Sequence, residues 1–140
     1  MTDIDFYILA SEAPHAREIM ACRLAEKVYK LGRTVHIHTS SAADSQALDQ
    51  LLWTFRAGSF VPHTLVANDQ DDMAAPVVIG HAIEPKQNTD VLINLGDSVP
   101  LFFSRFNRVS EIITDREKTA GRERFRFYRD RGYPLKSHKI

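Results

Sequence analysis

The chain of 140 residues has a single cysteine, Cys22, which excludes an internal disulfide framework and any zinc site built from several thiolates. No apolar run approaches the roughly 20 residues a bilayer-spanning helix needs. The first residues, Met1-Thr2-Asp3-Ile4-Asp5, are acidic and lack the basic start of a secretory signal, so the expectation is a soluble, cytoplasmic protein with no membrane partner. Glycine is sparse, with six in the chain, and none falls in a phosphate-binding pattern. Neither G-x-x-x-x-G-K-[ST] nor G-x-G-x-x-G occurs. After the first apolar segment comes Ala10-Ser11-Glu12-Ala13, and the Glu12 carboxylate would repel a pyrophosphate where bare amides are needed. A G-x-S-x-G nucleophile elbow is also missing. No cofactor and no catalytic residue is therefore expected.

What remains is enough for one core. The hydrophobic share is 44%, and the length suits one domain over residues 1–140. Asp5-Phe6-Tyr7-Ile8-Leu9, Thr34-Val35-His36-Ile37-His38, Val77-Val78-Ile79, Val91-Leu92-Ile93-Asn94-Leu95 and Val109 to Thr114 read as short buried strands. Between the first two, Met20, Leu24, Val28 and Leu31 mark one face of a helix that Gly32 closes. Ser41-Ala42-Ala43-Asp44 opens a second helix like a capping box, with Leu48, Leu51, Leu52 and Phe55 as its core stripe. Gly58 to His63 reads as a loop, Leu101 to Phe106 as a short helix, and Asp115 to Gly132 as a long charged helix. Alternating strands and helices predict an α/β layer fold with a mainly parallel central sheet.

Charge is balanced overall, 18 bases against 18 acids, but not along the chain. Residues 1–114 hold 9 basic and 14 acidic side chains, and residues 115–140 hold 9 and 4. That split points to an anionic partner for the C-terminal end. Six histidines raise the question of a metal. His36 and His38 share a strand face and could pair with His63 or His81, but with no nearby acid or cysteine the pattern reads as structural, and no metal is expected. Cys22, within an apolar helix, reads as a core filler.

Two surfaces stand out. On the second helix, with Leu48 at zero and about 100° per residue, Leu51, Leu52 and Phe55 cluster around zero while Trp53 falls near about 140°. A tryptophan off the core stripe is a favoured interface anchor. Just beyond it, Gly58-Ser59-Phe60-Val61-Pro62-His63 offers Phe60 beside a proline, so the two aromatics would form one apolar patch. On the last helix, with Phe125 at zero, Lys118, Arg129, Arg122 and Arg126 fall between about 20° and about 100°, and Phe127 and Ala120 fall near about 200°, toward the core. Cations edging an aromatic suit either single-stranded nucleic acid or an acidic peptide ending in an apolar side chain.

Several of these segments together resemble the chi subunit of bacterial DNA polymerase III, the HolC family, nearly end to end. The marks are Asp5-Phe6-Tyr7, Leu48-Asp49 through Leu52-Trp53, Ser59-Phe60-Val61-Pro62-His63, Ala75-Pro76-Val77-Val78-Ile79, Asp90 through Leu95, and Gly121-Arg122-Glu123-Arg124-Phe125-Arg126-Phe127-Tyr128-Arg129 leading to Gly132-Tyr133. The resemblance implies a three-layer domain, Rossmann-like without a nucleotide loop, and a non-enzymatic accessory subunit of the clamp-loader complex. It implies pairing with the psi subunit and binding of the acidic C-terminal tail of single-stranded-DNA-binding protein, a tail ending in acidic residues followed by Ile-Pro-Phe. DNA would then be reached indirectly. It assigns Trp53, Phe60, Val61 and Pro62 to the psi surface, and Ile113, Lys118, Arg122, Phe125 and Arg126 to the tail surface. Phe125 stands where the family commonly has tyrosine, and Arg126 where it has lysine, which replaces a point charge by a planar fork.

Overall fold

The alternating apolar runs assemble into one sheet of seven strands in the computed structural model, which describes residues 1–140. The strands are β1 (Asp3–Ile8), β2 (Val35–Thr39), β3 (His63–Val66), β4 (Val77–His81), β5 (Val91–Asn94), β6 (Arg108–Ile113) and β7 (Leu135–Lys139). The helices are α1 (Ala16–Lys30), α2 (Ala42–Thr54) and α3 (Lys118–Asp130). The strand order is β3-β4-β2-β5-β6-β1-β7, and every pairing is parallel. Parallel pairing needs crossovers and covered faces. Accordingly, Val35, Ile37, Ile79, Ile93 and Ile112 form a core with α1 and α2 on one face of the sheet. Ile4, Phe6, Leu92 and Val109 pack on the other face with Phe102, Phe103, Phe106 and Tyr128 of α3. This is the three-layer α/β domain expected, with a wholly rather than mainly parallel sheet.

Local rules explain most boundaries. Ser41 caps α2, its Oγ accepting from the Asp44 N–H at 3.1 Å. Gly32 closes α1 at φ 76°, a conformation that costs glycine little. Within α1 the buried residues are Ala21, Cys22, Leu24 and Ala25. The expected stripe of Met20, Leu24, Val28 and Leu31 is therefore rotated. Met20 and Val28 pack only partly, and Leu31 is 69% exposed beyond the last turn. Small side chains let α1 lie close on the sheet, and its larger ones fill the flanks. Cys22 is a core residue, and burial pushes its thiol up to about 12.

The last helix starts later than expected. A 3-10 turn over Asp115–Glu117, capped by the Thr114 hydroxyl, precedes α3. The short helix expected at Leu101 to Phe106 shrinks to a 3-10 turn over Phe103–Arg105. Two further strands complete the sheet. β3 follows directly on the Phe60 loop, and the polar segment Leu135–Lys139 pairs along β1 from Ile4↔Leu135 to Ile8↔Lys139. His36 and His38 face Phe102, with ring centroids 5.6 and 5.7 Å away. No three His, Cys, Asp or Glu residues are arranged to hold a metal ion. No helix is long and apolar enough to cross a membrane.

Two candidate partner surfaces

The orientation of α3 is set by a polar group inside the core. Glu111 of β6 is fully buried on the face that α3 covers. Its Oε1 accepts from Arg124 Nε at 2.8 Å. Its Oε2 accepts from the Tyr128 hydroxyl at 2.7 Å and from Asn94 Nδ2 at 2.8 Å. A buried carboxylate is tolerable only when paired and hydrogen-bonded, and here it has three donors. Burial, reinforced by Glu111, raises the Tyr128 phenol far above its ordinary value, so it stays a donor. Nearby, Arg17 of α1 is spent on backbone carbonyls, its Nε donating to Ile112 O at 2.9 Å.

This network corrects the expected facing of α3. Gly121, Arg124 and Tyr128 are its buried residues, while Phe127 is only half-buried, with the Arg131 guanidinium 3.6 Å over its ring. Phe127 and Ala120 are therefore not the core stripe. With Phe125 at zero the buried stripe centres near about 290°, so Phe125 lies on its shoulder and Arg122 and Arg126 point outward.

The side chains expected at a tail surface come together around that shoulder. Phe125 is half-buried, its ring meeting Phe6 edge-on at 5.2 Å between centroids. Ile113, at the end of β6, is half-buried and packs against Gly121, where any Cβ would collide with it. Arg122 and Arg126 are exposed and engage no acid. Lys118 differs, because Asp115 holds its ammonium at 3.2 Å. The result is a partly open apolar seam of Ile113 and Phe125, flanked by two guanidiniums free to fork a carboxylate.

The second surface lies at the opposite edge of the sheet. Trp53 is 50% exposed and Phe60 63%, with ring centroids 5.7 Å apart. His63 braces them from behind. Its ring is 4.6 Å from Trp53, Nδ1 donates to Val61 O at 2.7 Å, and Nε2 is 3.1 Å from Asp49 Oδ1. The Phe60 loop is also tied to α1, where Glu26 accepts from Arg56 Nη2 at 2.6 Å and from the Ser59 hydroxyl. Those two hydrogen bonds, Arg56 first, hold the Glu26 carboxyl below its usual range. Val61 does not share the exposure expected of it: at 1% exposed it belongs to the core beneath α2. Its side chain therefore anchors the loop from below, and Pro62 is partly exposed. Sequence reasoning missed the bracing by Glu26 and His63, because it depends on partners 33 and 14 residues away that no spacing rule joins.

A cavity of about 620 Å³ opens between α1 and α2 and is lined by Arg17, Glu18, Thr39, Asp44 and Asp97 among others. None of the residues expected at a partner surface lines it.

Fold and surfaces together define a three-layer α/β domain that presents aromatic side chains at one sheet edge and unpaired guanidiniums near the other. A family model described as DNA polymerase III chi subunit, HolC, matches residues 1–136, and the chain belongs to that family of accessory replication subunits. It is 42% identical to DNA polymerase III subunit chi of Pseudomonas aeruginosa, over all of this chain and 98% of that one. The chi subunit of Escherichia coli is 31% identical, and that of Haemophilus influenzae 30%, each over 96% of this chain.

Proposed function

We propose that this chain is a non-catalytic adaptor of the replicase, joining the clamp loader to single-stranded-DNA-binding protein. In this reading Trp53, Phe60 and Pro62 receive the psi subunit, with Val61 supporting them. Arg122 and Arg126 take carboxylates of the acidic tail, and the seam of Phe125 and Ile113 takes its terminal phenylalanine. Lys118, already paired with Asp115, contributes less. DNA is reached through these partners rather than directly. The observation that carries the tail assignment is the pair of exposed guanidiniums without acidic partners beside a half-buried aromatic.

Removing either guanidinium tests it. Arg122→Ala or Arg126→Ala should weaken binding of a labelled tail peptide by about 1.5–3 kcal/mol, the range for a hydrogen bond to a charged group. Both side chains are exposed, so thermal unfolding of the variants should match the parent. Unchanged peptide affinity in a folded Arg122→Ala protein would remove the tail from this helix.

A further inference from the structure

The position of β7 adds a wall to the α3 surface. β7 is the outermost strand beside β1. In register, Ile8 of β1 pairs with Ile113 of β6 on one side and with Lys139 of β7 on the other. Side chains alternate along a strand, and residues in register across a parallel sheet share a face. Ile4 and Phe6 pack on the α3 side, so Ile8 faces that side as well, and Lys139 with it. Leu135, four residues before Lys139, belongs to the same α3-side cluster. The intervening Lys136 and His138 face the other way, where His138 stacks on Tyr7 with centroids 4.9 Å apart.

The helix leans over this edge. Arg124 faces inward to Glu111 and donates to Asp97 O, toward β5, while Phe125 meets Phe6 of β1. The flank carrying Phe125 and Arg122 therefore overlooks β1 and β7. Beneath it runs a row of Ile113, Ile8 and Lys139, with Lys139 about 10 Å from Ile113 across two strand spacings. Ile8 is half-buried and packs into none of the apolar clusters, and Lys139 is exposed and without an acidic partner. The position is fixed, because the Ile140 N–H donates to Ile8 O at 3.0 Å one residue beyond.

We infer that Ile8 and Lys139 complete the acidic-peptide groove, with Ile8 extending its apolar floor and Lys139 standing as a cation opposite Arg122. The inference rests on the reading of α3 as the peptide-binding helix. A carboxylate-rich segment lying in the groove then meets positive charge from both walls, and its apolar end meets Ile113, Ile8 and Phe125 between them.

The test titrates a fluorescent peptide of several aspartates followed by Ile-Pro-Phe against the full chain and four variants, at low and high salt. Lys139→Gln keeps the stem and removes the charge; it should weaken binding about two- to fivefold at low salt, as for an exposed ion pair, and less at high salt. Lys139→Arg should restore the affinity. Lys136→Gln, an equal change on the other face, should leave it unchanged. If Arg122→Ala weakens the peptide while Lys139→Gln equals Lys136→Gln, Lys139 is no part of the groove and the α3 reading stands. If the unaltered chain binds no peptide, both fall.

Discussion

Glu111 and Arg124 form an ion pair sealed inside the protein, with exposures of 0% and 3% and an N–O distance of 2.8 Å. The pair joins the middle of β6 to the middle of α3, so the outward direction of Arg122 and Arg126 follows from it. Breaking one side of such a pair leaves a buried charge uncompensated, which costs about 3–5 kcal/mol. Arg124→Ala should lower the unfolding free energy by that amount, read from denaturant titration. A loss below 1 kcal/mol in denaturant unfolding would mean that the pair does not anchor the helix.

Gly121 gives a prediction whose sign depends on packing. In an open helix, glycine to alanine gains about 1 kcal/mol. Here the added Cβ would strike the Ile113 side chain. Overpacking a core contact costs about 1–3 kcal/mol, so Gly121→Ala should destabilise, and moving Ile113 should also weaken tail binding. Pairing it with Ile113→Val should recover part of both losses. A stabilised single variant would show that α3 sits further from β6.

Acid should destabilise the fold through His36. Burial, with a contribution from neighbouring His38, pushes its imidazole from 6.5 down to about 4. The unfolded chain therefore binds the extra proton between those values, and stability falls as pH drops through that window. The loss reaches about 3 kcal/mol near pH 4, at 1.36 kcal/mol per pH unit. His38, lowered by burial and by His81, acts in the same direction. Denaturation of a His36→Phe variant should show a flatter pH dependence between pH 4 and 6.5; an unchanged slope would assign the acid sensitivity elsewhere.

At the opposite edge, Trp53→Ala removes a half-exposed ring that contacts Phe60 and His63. Psi pairing should weaken by about 2 kcal/mol or more, as for a hot-spot tryptophan, with tail affinity unchanged. A pull-down and a peptide titration on the same protein check this. Loss of both activities in a folded variant would mean that the two surfaces are one.

Much of this was legible in the chain. The strands at Asp5, Val35, Val77, Val91 and Val109 are short runs rich in β-branched or aromatic residues, whose meaning does not depend on distant partners. Trp53 and Phe60 were placed outside by helical angle and loop context alone. The facing of α3 was not legible, because an arginine and a tyrosine outcompete a phenylalanine for the core only when a buried glutamate waits on β6. Leu135–Lys139 carries no strand signal, since four of its five side chains are exposed and pairing with β1 alone makes it a strand. Val61 read as part of an exposed loop because nothing local shows α2 closing over it. Strand order likewise arises from contacts between distant segments.

The central claim is that the α3 surface reads an acidic peptide and not nucleic acid. The direct measurement is a side-by-side titration of a labelled tail peptide and a labelled single-stranded oligonucleotide, from low to physiological salt. Peptide binding should weaken with salt and with deletion of the terminal phenylalanine, and oligonucleotide binding should be negligible at physiological salt. Oligonucleotide binding without peptide binding would contradict the central claim and leave α3 as a nucleic-acid surface.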